Sequence, residues 1–214
     1  MSHYVPSVRG DALLLTHGRT GGAEDLLLIS AAVVLDGVLG GHVEVTGSRK
    51  PGLDRRRIAP GPAIAGAPAL MADLRERSIA IAGDTPWGWF QRASISALKR
   101  SSDELIAVGA AERALPEPIW RLFRHRTLRV HPEHEGAARE RLADVLTARP
   151  APPHAVALAC ALHACAALDE VAGVCLSRRH LRAMADATRS LGSGAQAVLA
   201  ALEEGRGRAD TIAA

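Results

Sequence analysis

The sequence predicts a mainly α, single-domain helical bundle with small β-hairpins. Composition is the first reason: 48% of the 214 residues are hydrophobic but only 3% are aromatic, so the apolar material is Ala, Leu and Val. Alanine and leucine lead the helix scale, whereas aromatic and β-branched residues lead the strand scale. Punctuation is the second, because glycine and proline interrupt apolar runs at helical spacing. The third is period: two short stretches alternate with period two, which marks hairpins rather than large sheets. Neither an internal repeat nor an interdomain linker divides the chain.

The elements follow in order. A short apolar segment, Asp11 to Thr16, precedes the glycine-rich run Gly18 to Gly22, and a helix is expected from about Glu24 to Leu39, stopped by Gly40-Gly41. The alternation His42-Val43-Glu44-Val45 reads as a strand, with Arg55 to Ile58 as its partner across a turn at Gly47 to Gly52. After a Pro/Gly loop at 59–68, a helix covers about Ala69 to Arg77. The next is capped at Asp84, carries Pro86 in its first turn and runs to about Val108, before Gly109. Period two from Ile119 to Val130 predicts a second hairpin with its turn near Pro116 to Pro118. Pro132 opens a helix to about Thr147, Pro152-Pro153 open a buried helix over 154–171, and two amphipathic helices follow, with Ser177 as a cap. The chain is expected to fray from Gly205, leaving a domain at 10–205 between tails at 1–9 and 206–214.

Several function classes fall away. A formal charge of +3 is too small to imply nucleic acid by itself, and Lys50 and Lys99 are the only lysines, so the positive charge is nearly all guanidinium. Three cysteines, Cys160, Cys165 and Cys175, form no C-x-x-C pair and read as reduced thiols of a cytosolic protein. Met1 to Gly10 lacks the basic-then-apolar layout of a signal peptide. Leu26 to Leu35, stopped by Asp36, and Ala155 to Leu168, with His163 inside it, fall short of the roughly 20 residues that cross a bilayer.

No catalytic or metal motif is complete. Gly18-Arg19-Thr20-Gly21-Gly22 has no following Gly-Lys-Ser/Thr, so it is no P-loop. His131 and His134 frame a proline rather than the helical His-Glu-x-x-His of a zinc protease, and read as residues of an exposed helix start. Cys160 and His163, spaced i and i+3, lack a second pair of ligands and read as a core helix with a hydrogen-bonded histidine. No cofactor and no metal is expected.

Charge distribution carries more. Arg121, Arg124, His125, Arg126, Arg129 and His131 fall in an acid-free stretch, and Arg49, Lys50, Arg55, Arg56 and Arg57 surround the first hairpin with only Asp54 against them. Each Lys or Arg beside an anionic bilayer contributes about 1 kcal/mol, and Trp120, Leu122 and Phe123 next to them would add shallow apolar anchoring. Trp87, Trp89 and Phe90, the other aromatic cluster, also stand beside an expected turn.

Two blocks resemble the Golgi phosphoprotein 3 family, including its bacterial members. Ser30-Ala-Ala-Val-Val-Leu-Asp36-Gly-Val-Leu-Gly-Gly41-His-Val-Glu-Val45 is similar to the family's helix, glycine turn and strand, and Pro153 followed by Ala157 to Leu168 to its buried helix, histidine included. Asp103 to Gly109 is similar to its step from helix through glycine to hairpin. The resemblance implies no enzyme activity and, in eukaryotic members, phosphatidylinositol 4-phosphate binding by a tryptophan and three arginines. Those arginine positions fall here on Ser30, Ile95 and Leu98, and the tryptophan near Gly21. The expected headgroup contacts are therefore the neighbouring Arg92, Lys99 and Arg100 together with Arg124, Arg126 and Arg129, on an anionic membrane surface at the inner face of a membrane. Ile119, Trp120, Leu122 and Phe123 are the expected membrane or oligomer contact, since family hairpins also mediate oligomerisation. Two other readings stand beside this one. Residues 69–130 also describe a winged-helix DNA binder, although Asp103 and Glu104 oppose Lys99 and Arg100, and the hairpins of a scaffold would bind only protein.

Overall fold

The computed structural model describes residues 4–17, 23–47, 49–50, 53–54, 56–80, 84–113 and 128–213. In chain order these form α1 (Val8–Thr16), α2 (Ala23–Leu39), β1 (Val43–Thr46), β2 (Arg49–Lys50), β3 (Leu53–Asp54), β4 (Arg57–Pro60), α3 (Ala69–Ala80) and α4 (Pro86–Ala107). There follow β5 (Ala111–Arg113), β6 (Leu128–Val130), α5 (Pro132–Leu146), α6 (Pro153–Ala164), α7 (Leu168–Ala172), α8 (Arg178–Thr188) and α9 (Ser193–Ala213). The protein is mainly helical, as its composition predicts.

α2 and α6 are the hydrophobic centre. Leu28 to Leu35 and Ala155 to Leu162 are buried all round, and a helix apolar on every side must be enclosed by others. α1, α4 and α9 pack around α2, while α5, α8 and α9 pack against α6. Small alanines let these helices approach closely, so few aromatics are needed to fill the space. Those near α4 belong to the core: Trp89 and Phe90 are buried, and Trp87 meets Phe90 edge-on with ring centroids 6.3 Å apart. They are not surface anchors.

The first expected hairpin forms, and of the second the described residues hold one short antiparallel pairing, which takes in 128–130 of the expected stretch. β1 pairs antiparallel with β4, Val45 opposite Ile58, and β2 with β3 continues the same ribbon, so the return arm begins at Leu53 rather than Arg55. Val43 and Ile58 point inward and are almost wholly buried. β5 pairs with β6, Glu112 opposite Arg129. Residues 114–127, with the turn expected at Pro116 to Pro118, lie outside the described residues.

Helix ends explain where the sequence reading and the structure part. α2, α4 and α7 stop at Gly41, Gly109 and Gly173, each at a left-handed φ near +70°. α5 and α6 stop the same way on alanine: Ala148 (φ 59°) and Ala166 (φ 48°). At α6 the Ala167 amide donates to the Leu162 carbonyl and the Ala166 amide to the His163 carbonyl, both at 2.9 Å, which is the Schellman closure. The helix expected over 154–171 is therefore two helices, broken by a residue type that gives no local sign of a stop. α4 is capped by Thr85, whose Oγ1 accepts the Gly88 amide at 3.1 Å, and not by Asp84. α1 begins at Val8 and converts the expected apolar segment into a helix. α9 continues through Ala213 instead of fraying from Gly205, which is buried against the Trp87 ring.

Candidate functional site

α4 carries the expected headgroup contacts Arg92, Lys99 and Arg100, and 3.6-residue periodicity aligns Arg92, Ser96 and Lys99 along one strip. Arg92 is exposed but engaged by Asp84, just before the helix. Arg100 is held by Asp73 of α3 at 2.9 Å. Lys99 is exposed, with no acidic partner among the described residues. On the second hairpin Arg129 pairs across the strands with Glu112 at 3.1 Å, both well exposed. Surface pairs of this kind contribute about 0–1 kcal/mol, so an anionic surface can compete for these arginines. Arg124 and Arg126, like Ile119, Trp120, Leu122 and Phe123, lie outside the described residues.

The positions that the resemblance assigns to headgroup recognition hold no cation. Ser30 is fully buried on α2, its hydroxyl donating to the Leu26 carbonyl at 2.9 Å, and Leu98 packs against the core.

Arg56 leaves the first basic cluster. It is 4% exposed, donates to the Ala197 carbonyl at 3.1 Å and pairs with Glu204 at 2.7 Å, pinning the first hairpin onto α9. The charge needs that carboxylate, because an uncompensated buried guanidinium would be strongly destabilising.

The histidine and cysteine readings also separate. His163 is exposed, not a core histidine, because it falls in the last turn of α6 where the chain reaches the surface. Cys160 is buried, within 2.9 Å of the Thr188 hydroxyl, and burial pushes its thiol above the ordinary value. None of the three cysteines is in a disulfide, and Cys175 is the exposed one. His134 stacks edge-on against Tyr4 with ring centroids 5.4 Å apart, and among the described residues no cluster of His, Cys, Asp and Glu could hold a metal.

Two charged clusters around α1 escape the sequence reading. Asp36, the acid that ends the apolar run of α2, accepts the Val8 and Arg9 amides at 2.7 and 3.1 Å and thereby caps α1 from a neighbouring helix. Arg9 bridges Asp36 and Glu104 of α4 at 2.8 and 2.7 Å. Burial pulls its guanidinium down, but the two acids outweigh that and hold it above its ordinary value. On the other side, the fully buried Asp11 takes Arg141 of α5 at 2.9 and 2.7 Å and the Tyr4 hydroxyl at 2.7 Å, with His154 of α6 at 3.8 Å. Burial, then Asp11, pushes the Tyr4 phenol far up. A lone acid inside an apolar stretch, as at Asp11 and Asp36, was the available signal.

The family model for Golgi phosphoprotein 3 (GPP34) matches residues 11–205. The chain belongs to the Golgi phosphoprotein 3 family. The match runs from α1 into α9 and takes in both hairpins and the buried α6, so the two blocks quoted from the sequence are part of one continuous similarity. No curated protein matches the chain. Within the Golgi phosphoprotein 3 fold as it stands here, no described helix is long and apolar enough to cross a membrane.

Proposed function

We propose that this protein is a non-enzymatic peripheral membrane or adaptor protein that binds anionic lipid surfaces at the inner face of a membrane. Membership of the Golgi phosphoprotein 3 family over nearly the whole chain is the observation that carries the reading. The exposed Lys99, the exposed though paired Arg92 and Arg100, and the basic residues Arg124, Arg126 and Arg129 supply the charge. Buried Ser30 and packed Leu98 favour recognition of surface charge over that of one phosphoinositide headgroup.

Reversing Arg124, Arg126 and Arg129 to glutamate and sedimenting the protein with phosphatidylserine vesicles tests this. At about 1 kcal/mol per cation, the three together contribute about 3 kcal/mol, or about a hundredfold in affinity at low salt. Wild-type binding that survives the reversal shows that the hairpin is not the contact. Absence of salt-sensitive binding at any anionic content removes the proposal.

A further inference from the structure

α8 has a surface that the anionic-membrane reading does not use. Its buried side is formed by Ala183 and Met184, and it packs on α5 and α6 rather than on α4. Outward it presents Arg178, Arg179 and Arg182, all exposed and without an acidic partner among the described residues, whereas Arg189 is engaged by Asp186. These cations do not serve the helix. Arg178 and Arg179 occupy its first turn, the end whose dipole repels positive charge, and Arg178 and Arg182 are like charges at i,i+4. The cap itself is already complete, since Ser177 and His180 exchange hydrogen bonds at 3.3 Å.

Beside this helix lies an open cavity of about 140 Å³ between α5, α7 and α8. Leu142, Leu146, Val171 and Val174 form its apolar walls, and His180 and Arg139 its polar ones. Arg139 is fixed there by Glu135 and the Val171 carbonyl, at 2.8 and 2.6 Å. Val174 and Leu181, 42% and 37% exposed, are two of the few large apolar side chains left in water among the described residues. An apolar cavity of about 150 Å³ takes a molecule the size of benzene. This one therefore suits a single leucine or phenylalanine side chain and is too small for an acyl chain. Membranes are entered by apolar groups that project from a protein, whereas here the apolar surface is concave.

We propose that the α5–α7–α8 cleft docks an acidic segment of a partner protein, seating one aliphatic or phenyl side chain in the cavity and carboxylates on Arg178, Arg179 and Arg182. Arginine forks match carboxylates bidentately, and a central apolar anchor within a charged rim is the usual anatomy of such contacts. The proposal shares no residue with the membrane site and stands or falls without it.

The probe is a short acetylated peptide with glutamates flanking a central leucine, titrated onto the full chain. Its controls are the same peptide with a central alanine and one with lysine flanks. Saturable binding is expected, at least fivefold weaker with the alanine peptide, with Ala143→Leu, which fills the cavity mouth, and with Arg178→Glu/Arg179→Glu, and absent with lysine flanks. Modification of Cys175, next to Val174, is expected to slow when the peptide is bound. All three substituted positions are exposed, so unchanged thermal melts will show that the variants fold. The proposal is overturned if the leucine peptide does not bind saturably, if leucine and alanine peptides bind equally, or if Ala143→Leu has no effect. It is equally overturned if the arginine reversals leave peptide binding unchanged, and loss of binding to phosphatidylserine vesicles in the same variants would then assign α8 to a membrane.

Discussion

Replacing Arg141 by methionine should cost this fold about 3 kcal/mol. Asp11 is fully buried, and two of its three short hydrogen bonds come from that one guanidinium, at 2.9 and 2.7 Å. Methionine keeps most of the volume but leaves the carboxylate with the Tyr4 hydroxyl at 2.7 Å and His154 at 3.8 Å. Removing one partner of a buried pair costs about 3–5 kcal/mol, and the lower end applies because the Arg141 side chain keeps 19% exposure. For a domain of this size each kcal/mol moves Tm by about 2–4 °C, so a fall of about 6–12 °C is expected by calorimetry, with a matching drop in the urea midpoint. Adding Asp11→Leu and Tyr4→Phe removes the stranded polar groups and should restore much of the loss, because a buried ion pair is often no better than a well-packed apolar replacement. A single variant that loses less than 1 kcal/mol, or a triple variant no more stable than the single one, would refute the idea that this cluster pins α1 to α5.

Other consequences can be measured together. Burial holds the His154 imidazole below its ordinary 6.5, and its buried Nε2 has no hydrogen-bond partner. The unfolded chain therefore takes up the proton first as pH falls. The stability that neutral His154 contributes is complete above pH 6.5 and declines as pH drops below it towards the folded value. Urea midpoints at pH 7.5 and 5.5 should differ less in His154→Gln than in the wild type. Ala148→Gly and Ala166→Gly should each raise stability by about 0.5–1 kcal/mol, since the left-handed conformation costs a non-glycine residue about 1–2 kcal/mol and glycine's greater unfolded freedom offsets part of that. A lower Tm in either would mean that the alanine methyl packs better than the backbone conformation suggests. With a thiol reagent under native conditions Cys175 should react quickly, and buried Cys160 and Cys165 only on unfolding.

The helices could be read because their stops are written in residue types that act locally. Gly41, Gly109 and Gly173 mark left-handed caps, and Pro86, Pro132 and Pro153 sit in first turns where a missing N–H costs nothing. Ala148 and Ala166 end helices in the same geometry through tertiary packing, and alanine in a sequence argues only for helix continuation. The charged groups divide along the same line. Lys99 is exposed, as its strip on α4 implies, but Arg56 is buried against Glu204, a contact across 148 positions of the chain that no local pattern encodes. Asp11 and Asp36 look alike in sequence, each a single acid among apolar residues, and their partners Arg141 and Arg9 become visible only when the helices pack. The α8 arginines were legible as charge and not as a surface, because the cavity beside them is built from three separate helices.

The central reading is that surface charge, and not one headgroup, brings this Golgi phosphoprotein 3 family member to a membrane. Its most direct test is sedimentation with vesicles matched for surface charge but built from phosphatidylserine, phosphatidylglycerol or phosphatidylinositol 4-phosphate. Equal binding to all three, falling together as salt is raised, is the expected result. Selective binding to phosphatidylinositol 4-phosphate, or no binding to any of them, would contradict it.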